Sequence, residues 1–516
     1  MASRKWLVSL LAVAFFAATR LVGLTRLPIF ADEAIYLRWA LLAGSEPAKY
    51  LFLPMLDGKP PLHTWLLIPW VYVFNDPLLA GRLLSVVVAV ATLVVMDRLI
   101  QFFSSRFSDR VIGYLLMTFA PFWYFHQRLA LAEPLLALWL AMAILYGCLF
   151  LRYKRWYYVL LFGFSFGLSL ATKPNAFFFI PVLALLPWLT IRTVSQKLNL
   201  IERWKSVYVT PQVLTMALAG IGGLTFFWLL SISPLFPQLF RRSLDYTFSL
   251  GELAQGEWRY VIFQSVPRIL KWAVLYFTPF LVGTWLFPKR WGKAVALMAF
   301  IYVLPLVIIG RVLYSRHLLP VAVLLTLLSV ANLGEWWLKK SGRMVFIGLI
   351  ALFIGWGVVF MVVAVANPDR LFIPREDWSH YLTEWSSGHG IASVRDFVRE
   401  RSQYTPVTVA TEGMFGTLPD GLWIYFARMA TTYPVTIFGI GQPVGEIPDY
   451  LIQTAANQEV YLVVNSNRFY IQPLPSHIKL VARYVRPHGG PELMLFRILF
   501  TPVSDQSDWS VRGFGL

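Results

Sequence analysis

Charge is scarce in this sequence: Asp, Glu, Lys and Arg make up 14% of its 516 residues, where a soluble domain usually carries about 25%. With 58% hydrophobic residues and a mean hydropathy of +0.61, that shortage excludes an ordinary cytosolic enzyme. It also excludes a disordered chain, which needs low hydrophobicity and high charge. Cysteine is nearly missing. Cys148 stands alone inside an apolar run, so no internal disulfide can form and redox chemistry says little about compartment. Acids are scarcer than bases, 27 against 45, for a net charge of +18. In a soluble chain such an excess points to nucleic acid. Here the cations lie between hydrophobic runs, where they point to membrane orientation and to anionic lipid or phosphate partners instead. No long repeat and no low-complexity segment stands out.

Long apolar runs are what the chain has in plenty. A membrane span needs roughly 20 mostly apolar residues. Candidate runs fall near 6–24, 83–102, 111–125, 134–151, 156–172, 176–191, 208–230, 268–287, 294–310, 318–337 and 344–366. The first follows Arg4 and Lys5 without a small-residue cleavage site, so it reads as a retained helix and not as a signal peptide. With a cytoplasmic N-terminus every inner loop is basic. Arg98, Arg106 and Arg110 fill one; Arg152, Lys154 and Arg155 the next; then come Arg192, Lys197, Arg203 and Lys205, followed by Lys289, Arg290 and Lys293, and by Lys339, Lys340 and Arg343. The count of spans is odd, which puts residues 367–516 outside. Residues 1–366 are therefore expected to form the transmembrane domain.

Past residue 366 the composition shifts to turn residues and short β-type runs, at Pro406–Thr411, Val435–Gly439, Val460–Val464, Leu480–Tyr484 and Leu493–Phe500. Helical stretches at Ala392–Arg401, Gly421–Met429 and Pro448–Ala456 alternate with several of them, the pattern of a small α/β domain. The expected fold is thus a mostly α multi-pass membrane protein, with about 11 spans and a small extracytoplasmic α/β domain. The pair Gly439 and Gly441 lacks a third glycine in register and is a weak match to a nucleotide loop. Trp378, Trp385 and Trp423 are as readily packing residues as contacts to sugar or bilayer.

Polar residues at or near membrane depth need a reason, and four groups stand out on the outer side. The first is Asp32-Glu33. Asp32 fits a helix N-cap and Gly44 the helix stop. Either Asp32 caps while Glu33 faces water, or the two carboxylates divide proton abstraction and positioning between them. The second is Asp57-Gly-Lys-Pro-Pro, in which Pro60 pushes Lys59 into an extended backbone and the diproline stiffens the turn. Lys59 is either a phosphate ligand or a lysine snorkelling at the interface. The third runs from His126 through Arg128 to Glu133, just before Pro134. Glu133 suits the dipole of a helix start, or, with Arg128, a contact to acceptor or sugar. The fourth is Arg311-Val-Leu-Tyr-Ser-Arg316-His317, whose outer cations run against the charge rule. An anionic partner accounts for them, and so does an ion pair to Glu33 or Glu133.

The order of these elements resembles the glycosyltransferases that use lipid-phosphate sugars, the protein O-mannosyltransferase and aminoarabinose transferase group (family 39, with its C-type fold). The resemblance rests on Asp32-Glu33 in the first outer loop, Lys59-Pro-Pro before the second span, Glu133 before the fourth, Ala171-Thr-Lys-Pro-Asn175, and Arg316-His-Leu-Leu-Pro320. It covers roughly residues 1–330. It implies transfer of a monosaccharide from a polyprenyl-phosphate donor to an extracytoplasmic lipid, glycan or protein, with inversion at the anomeric carbon. Asp32 then matches the base, Lys59, Arg316 and His317 match donor-phosphate contacts with Arg128 beside them, and Glu33 and Glu133 match supporting acids. The group's aminoarabinose branch has Glu-Lys where this chain has Gly58-Lys59, so no obligatory metal or other cofactor is expected. A bacterial or archaeal plasma membrane is the implied location. All these groups are expected to meet in one outer-leaflet pocket. A transporter or flippase of lipid-linked glycans is the alternative, although the internal halves that such folds tend to show are not visible here. A receptor-like membrane protein leaves Lys59-Pro-Pro and Asp32-Glu33 unexplained.

Overall fold

The structure, a computed structural model, describes residues 2–190, 200–289 and 291–501. Of the basic loop residues named above, Arg192, Lys197 and Arg290 lie outside the described residues, as do the side chains of Arg4, Arg203 and Lys340. Two compact units emerge. One comprises residues 1–27 and 39–378, the other residues 28–38 and 379–516. The shift in composition at 366 falls shortly before the second junction, and a short early segment joins the later unit.

The first unit is helical because its sequence is a series of apolar runs with no water-facing stripe. Among the described residues, six of its helices are long and apolar enough to cross a membrane: Pro77–Phe103, Ala132–Tyr153, Pro211–Ile232, Gly292–Ile309, Ser315–Leu338 and Arg343–Ala366. Other expected spans take different forms. The run at 111–125 is split between Phe107–Phe119 and Pro121–His126, where Pro121 starts a new helix. The run at 176–191 forms several short helical pieces interrupted by prolines. Within Trp258–Trp285 the helix kinks at Thr278, the residue before Pro279. An apolar helix at Leu62–Val73, absent from the expected spans, follows Pro60-Pro61.

Several basic residues read above as topology markers are also paired. Arg106 meets Asp109 at 3.1 Å and Glu335 at 3.3 Å, and Arg110 meets Asp97 at 2.7 Å. Each pairing lets an ionised group stay at a membrane edge with its charge compensated.

The second unit is built on a five-stranded sheet. Its strands are β1 (Val407–Thr411), β2 (Val435–Gly439), β3 (Glu459–Asn465), β4 (Ile478–Tyr484) and β5 (Leu493–Ile498), in the order β2-β1-β3-β5-β4. β1 runs parallel to β2 and β3, whereas β5 is antiparallel to both β3 and β4. β1 and β3 are buried along their whole length, as central strands covered on both faces should be. The edge strand β4 instead exposes Lys479 and Arg483, which blunts pairing with other chains. Gly439 ends β2 where a Cβ would run into the Gly413 carbonyl, and no helix follows Gly441. Close chain approach accounts for Gly439, and a left-handed backbone (φ +102°) for Gly441. Trp423 and Trp385 pack under the guanidiniums of Arg38 and Arg468, at 5.0 and 4.3 Å.

Residues 28–38 are tied into this second unit through main-chain bonds. The Ala31 N–H donates to the Ser386 carbonyl at 2.9 Å, and the Gly388 N–H to the Ile29 carbonyl at 2.7 Å. Arg38 then pairs with the buried Asp420. The helix that begins here, Ala31–Ser45, differs from expectation at both ends. Asp32 is not the N-cap: the helix already starts at Ala31, so Asp32 sits inside the first turn. Glu33 does not face water. It is fully buried, and its carboxylate accepts the Phe30 N–H at 3.0 Å, the reach-back bond of a helix start. Gly44 lies within the last turn instead of ending it, at a place where any Cβ would strike the Tyr72 ring.

Candidate active site

The first unit gathers its polar residues around Glu133. Helix Ala132–Tyr153 begins just before it, with Pro134 next, a placement that suits proline and an acid in a first helical turn. The carboxylate is buried, at 3% exposure. A group this buried stays ionised only with charged partners, and two are present. Lys173 Nζ bonds to Oε1, and Arg316 Nε stands 3.3 Å from the same oxygen. Lys173 directly follows helix Trp156–Thr172, in an extended conformation before Pro174. Arg316 projects from the helical turn Ser315–Leu318 that leads into Leu319–Leu338.

Other groups lie within electrostatic reach of this centre. His317 lies within electrostatic reach of Glu133, and its Nδ1 accepts the Tyr314 N–H at 3.5 Å. His63, buried on helix Leu62–Val73, senses Glu133, Lys173 and Lys59 together. His126 senses Glu133 and Arg316, and the buried Tyr302 senses Glu133. Lys59 sits after a turn closed by the left-handed Gly58, where its ammonium is 3.0 Å from Asp57 and 5.4 Å from the Trp39 ring centre. A Cβ on Gly58 would collide with Arg242 even apart from the strained backbone. The lysine is therefore held by a stiff, side-chain-intolerant turn.

Arg128 has a different position from that expected of a donor ligand. Its guanidinium bonds to the Tyr124 hydroxyl and donates to the Val22 carbonyl at 2.6 Å. Arg82 donates to the Leu24 and Leu27 carbonyls at 3.0 and 2.8 Å, so these two arginines fasten the chain that leaves the first helix. Among the expected residues, then, Glu133, Arg316 and His317 come together, and Lys59 stands in range of His63, which also senses Glu133. Asp32 and Glu33 belong to the second unit. The sequence reading left Lys173, His63 and Tyr302 out of the site. Lys173 had a signal in its Thr-Lys-Pro segment, and His63 lies only four positions after Lys59, whereas nothing marked Tyr302.

Asp377 was also missed. It lies just after the last long helix, is buried, and accepts the Tyr276 hydroxyl at 2.6 Å. Burial pushes its carboxyl up to about 6, against the opposing pull of the Ser315 and Tyr276 hydrogen bonds and of Arg316.

Residues 58–220 match the family model described as dolichyl-phosphate-mannose-protein mannosyltransferase. That segment contains Lys59, His63, Glu133 and Lys173. No curated protein matches the sequence. Among solved structures, ArnT from Cupriavidus metallidurans in the apo state is similar over 96% of this chain and 98% of its own, with 16% identity and a TM-score of 0.58. The same protein bound to undecaprenyl phosphate is similar over 95% and 98%, again at 16% identity, with a TM-score of 0.57. Over residues 58–220 the chain is thus similar to the dolichyl-phosphate-mannose-protein mannosyltransferase family, and over nearly its whole length it carries the C-type fold seen in ArnT.

Proposed function

We propose that this protein moves a monosaccharide from a polyprenyl-phosphate donor to an extracytoplasmic lipid, glycan or protein, with inversion, in a bacterial or archaeal plasma membrane. The observation that carries the reading is the buried Glu133 carboxylate holding Lys173 and Arg316 side by side. A phosphate leaves as an anion and needs fixed cations more than a proton donor. Cations preset by a buried acid need no reorganisation when the bond breaks.

In the proposed step the acceptor hydroxyl loses its proton to Asp32 as its oxygen bonds to the anomeric carbon. The bond from that carbon to the phosphate oxygen breaks, and its electron pair leaves with polyprenyl phosphate. Lys59, Arg316 and His317 are assigned to that phosphate. Glu133 orients the cations, and Glu33 supports Asp32 by closing the helix start from which Asp32 projects. Ionised Asp32 in a first helical turn is stabilised by the helix dipole, which suits a base acting late in bond formation. Arg128, fastened to Val22 and Tyr124, is assigned to holding the chain and not to the donor.

The test is release of polyprenyl phosphate from a panel of polyprenyl-phosphate sugars by the purified protein. Asp32→Asn is expected to abolish release while donor affinity stays within about twofold. Full turnover by that variant removes Asp32 from the base role. Movement of intact lipid-linked sugar across vesicles, with no release from any donor, favours a flippase instead.

A further inference from the structure

The Glu133 cluster has a second buried acid behind it. Asp377 lies on the single helical turn Arg375–Trp378, in the same unit. Its carboxylate accepts the hydroxyls of Tyr276, at 2.6 Å, and of Ser315. Ser315 Oγ in turn lies 3.2 Å from His126 Nε2. A serine hydroxyl has one proton to give. With that proton directed at Asp377, the oxygen is left to accept from the His126 tautomer that carries its hydrogen on Nε2. His126, Ser315 and Asp377 then form one connected set, which Tyr276 joins from another helix. Tyr276 also packs its ring 5.7 Å from that of His126.

The residue after Ser315 is Arg316. Its guanidinium reaches Glu133 from the turn that Asp377 holds. A buried carboxylate is a poor way to gain stability, because desolvation works against its charge. Two donors from separate elements directed at one buried acid are better explained by a need to hold something in place.

We propose that Asp377 is a positioning residue for Arg316: by anchoring Ser315 and Tyr276, it sets where the guanidinium stands beside Glu133 and how the donor's phosphate is gripped. This rests on the transferase reading above. Asp377 touches neither sugar nor phosphate in this scheme; it acts through the Ser315–Arg316 turn.

The experiment compares the full chain in lipid nanodiscs with Asp377→Asn, Ser315→Ala and the double variant. Steady-state constants are measured for donor and acceptor, with the dissociation constant of polyprenyl phosphate alone measured in parallel. Asparagine removes the charge and replaces one of the two accepting oxygens with a donor, which weakens the hold on the two hydroxyls. Loss of one such bond is worth about tenfold. Donor KM and the polyprenyl-phosphate dissociation constant should each rise about tenfold in either single variant, with acceptor KM within twofold of wild type. The double variant should be no worse than the singles, since both cut one connection. Unchanged phosphate binding in the folded single variants, or additive losses in the double, overturns the proposal. Should Asp377→Asn fail to fold, the Ser315→Ala result alone decides. Wild-type protein that binds polyprenyl phosphate but releases none from any donor sinks the transferase reading and leaves the binding comparison intact. Wild-type protein that binds no polyprenyl phosphate overturns both.

Discussion

Replacing Glu133 with glutamine is the most direct probe of the cluster, since it removes one negative charge with little change of shape. Lys173 and Arg316 then lose the one carboxylate that both reach. At the observed 3.3 Å between Arg316 and Glu133, one such contact is worth about 5 kcal/mol at an effective dielectric of 20. Desolvation offsets part of this, and breaking a buried pair by removing one partner costs about 3–5 kcal/mol. The partners are 8% and 19% exposed on their side chains, so the buried figure applies. Glu133→Gln should thus lower unfolding stability by about 3–5 kcal/mol, read from the shift in SDS-denaturation midpoint of purified protein. Polyprenyl phosphate should restore more stability to the variant than to wild type, because an anion can replace the lost carboxylate and stabilises only the state that binds it. A loss under about 1 kcal/mol, the value of an exposed pair, would refute the claim that this carboxylate organises the two cations. So would equal stabilisation of both proteins by the lipid phosphate.

Lys59→Ala should weaken donor binding about 10- to 100-fold, the value of a charge-assisted hydrogen bond, in equilibrium binding of polyprenyl phosphate; wild-type affinity would return Lys59 to an interfacial role. Asp377 makes stability depend on pH. Its folded-state value of about 6 lies above the usual 3.8, so the folded protein holds this proton more tightly, and stability falls as pH rises from about 4 to about 6. Asp377→Asn should therefore raise the melting temperature at pH 8 and change it little at pH 4, even as it impairs phosphate binding; an equal shift at both values would contradict this. Gly439→Ala forces a Cβ against the Gly413 carbonyl and should cost the second unit about 1–3 kcal/mol or more, read as earlier cleavage by limited proteolysis, with an unchanged cleavage profile counting against it.

What could be read locally was read well. The five β-type runs all contain the observed strands or their cores, and Val435–Gly439 coincides with β2, because a strand bounded by turn residues is a short-range pattern. Long apolar helices are equally local. Ala132–Tyr153 and Arg343–Ala366 need only composition and length to declare themselves. Glu133 before Pro134 could be recognised as a helix start for the same reason.

Side-chain destinations were another matter. Asp32 looked like the cap, yet the helix begins one residue before it, because Ala31 is held by the main chain near Ser386 and Glu33 reaches back to Phe30. Arg128 stands five residues before Glu133, but its guanidinium ends at Tyr124 and Val22. The sequence by itself determined the membrane class, most helix and strand positions, and the supply of acids and cations near helix ends. Only the tertiary structure decided that Lys173 and Arg316, 40 residues after Glu133 and far beyond it, share one carboxylate, and that Asp377 reaches back 101 residues to Tyr276. The reason is physical: hydropathy and turn preference act within a few residues, whereas a buried charge takes whatever partner the packing of distant helices brings within about 3 Å.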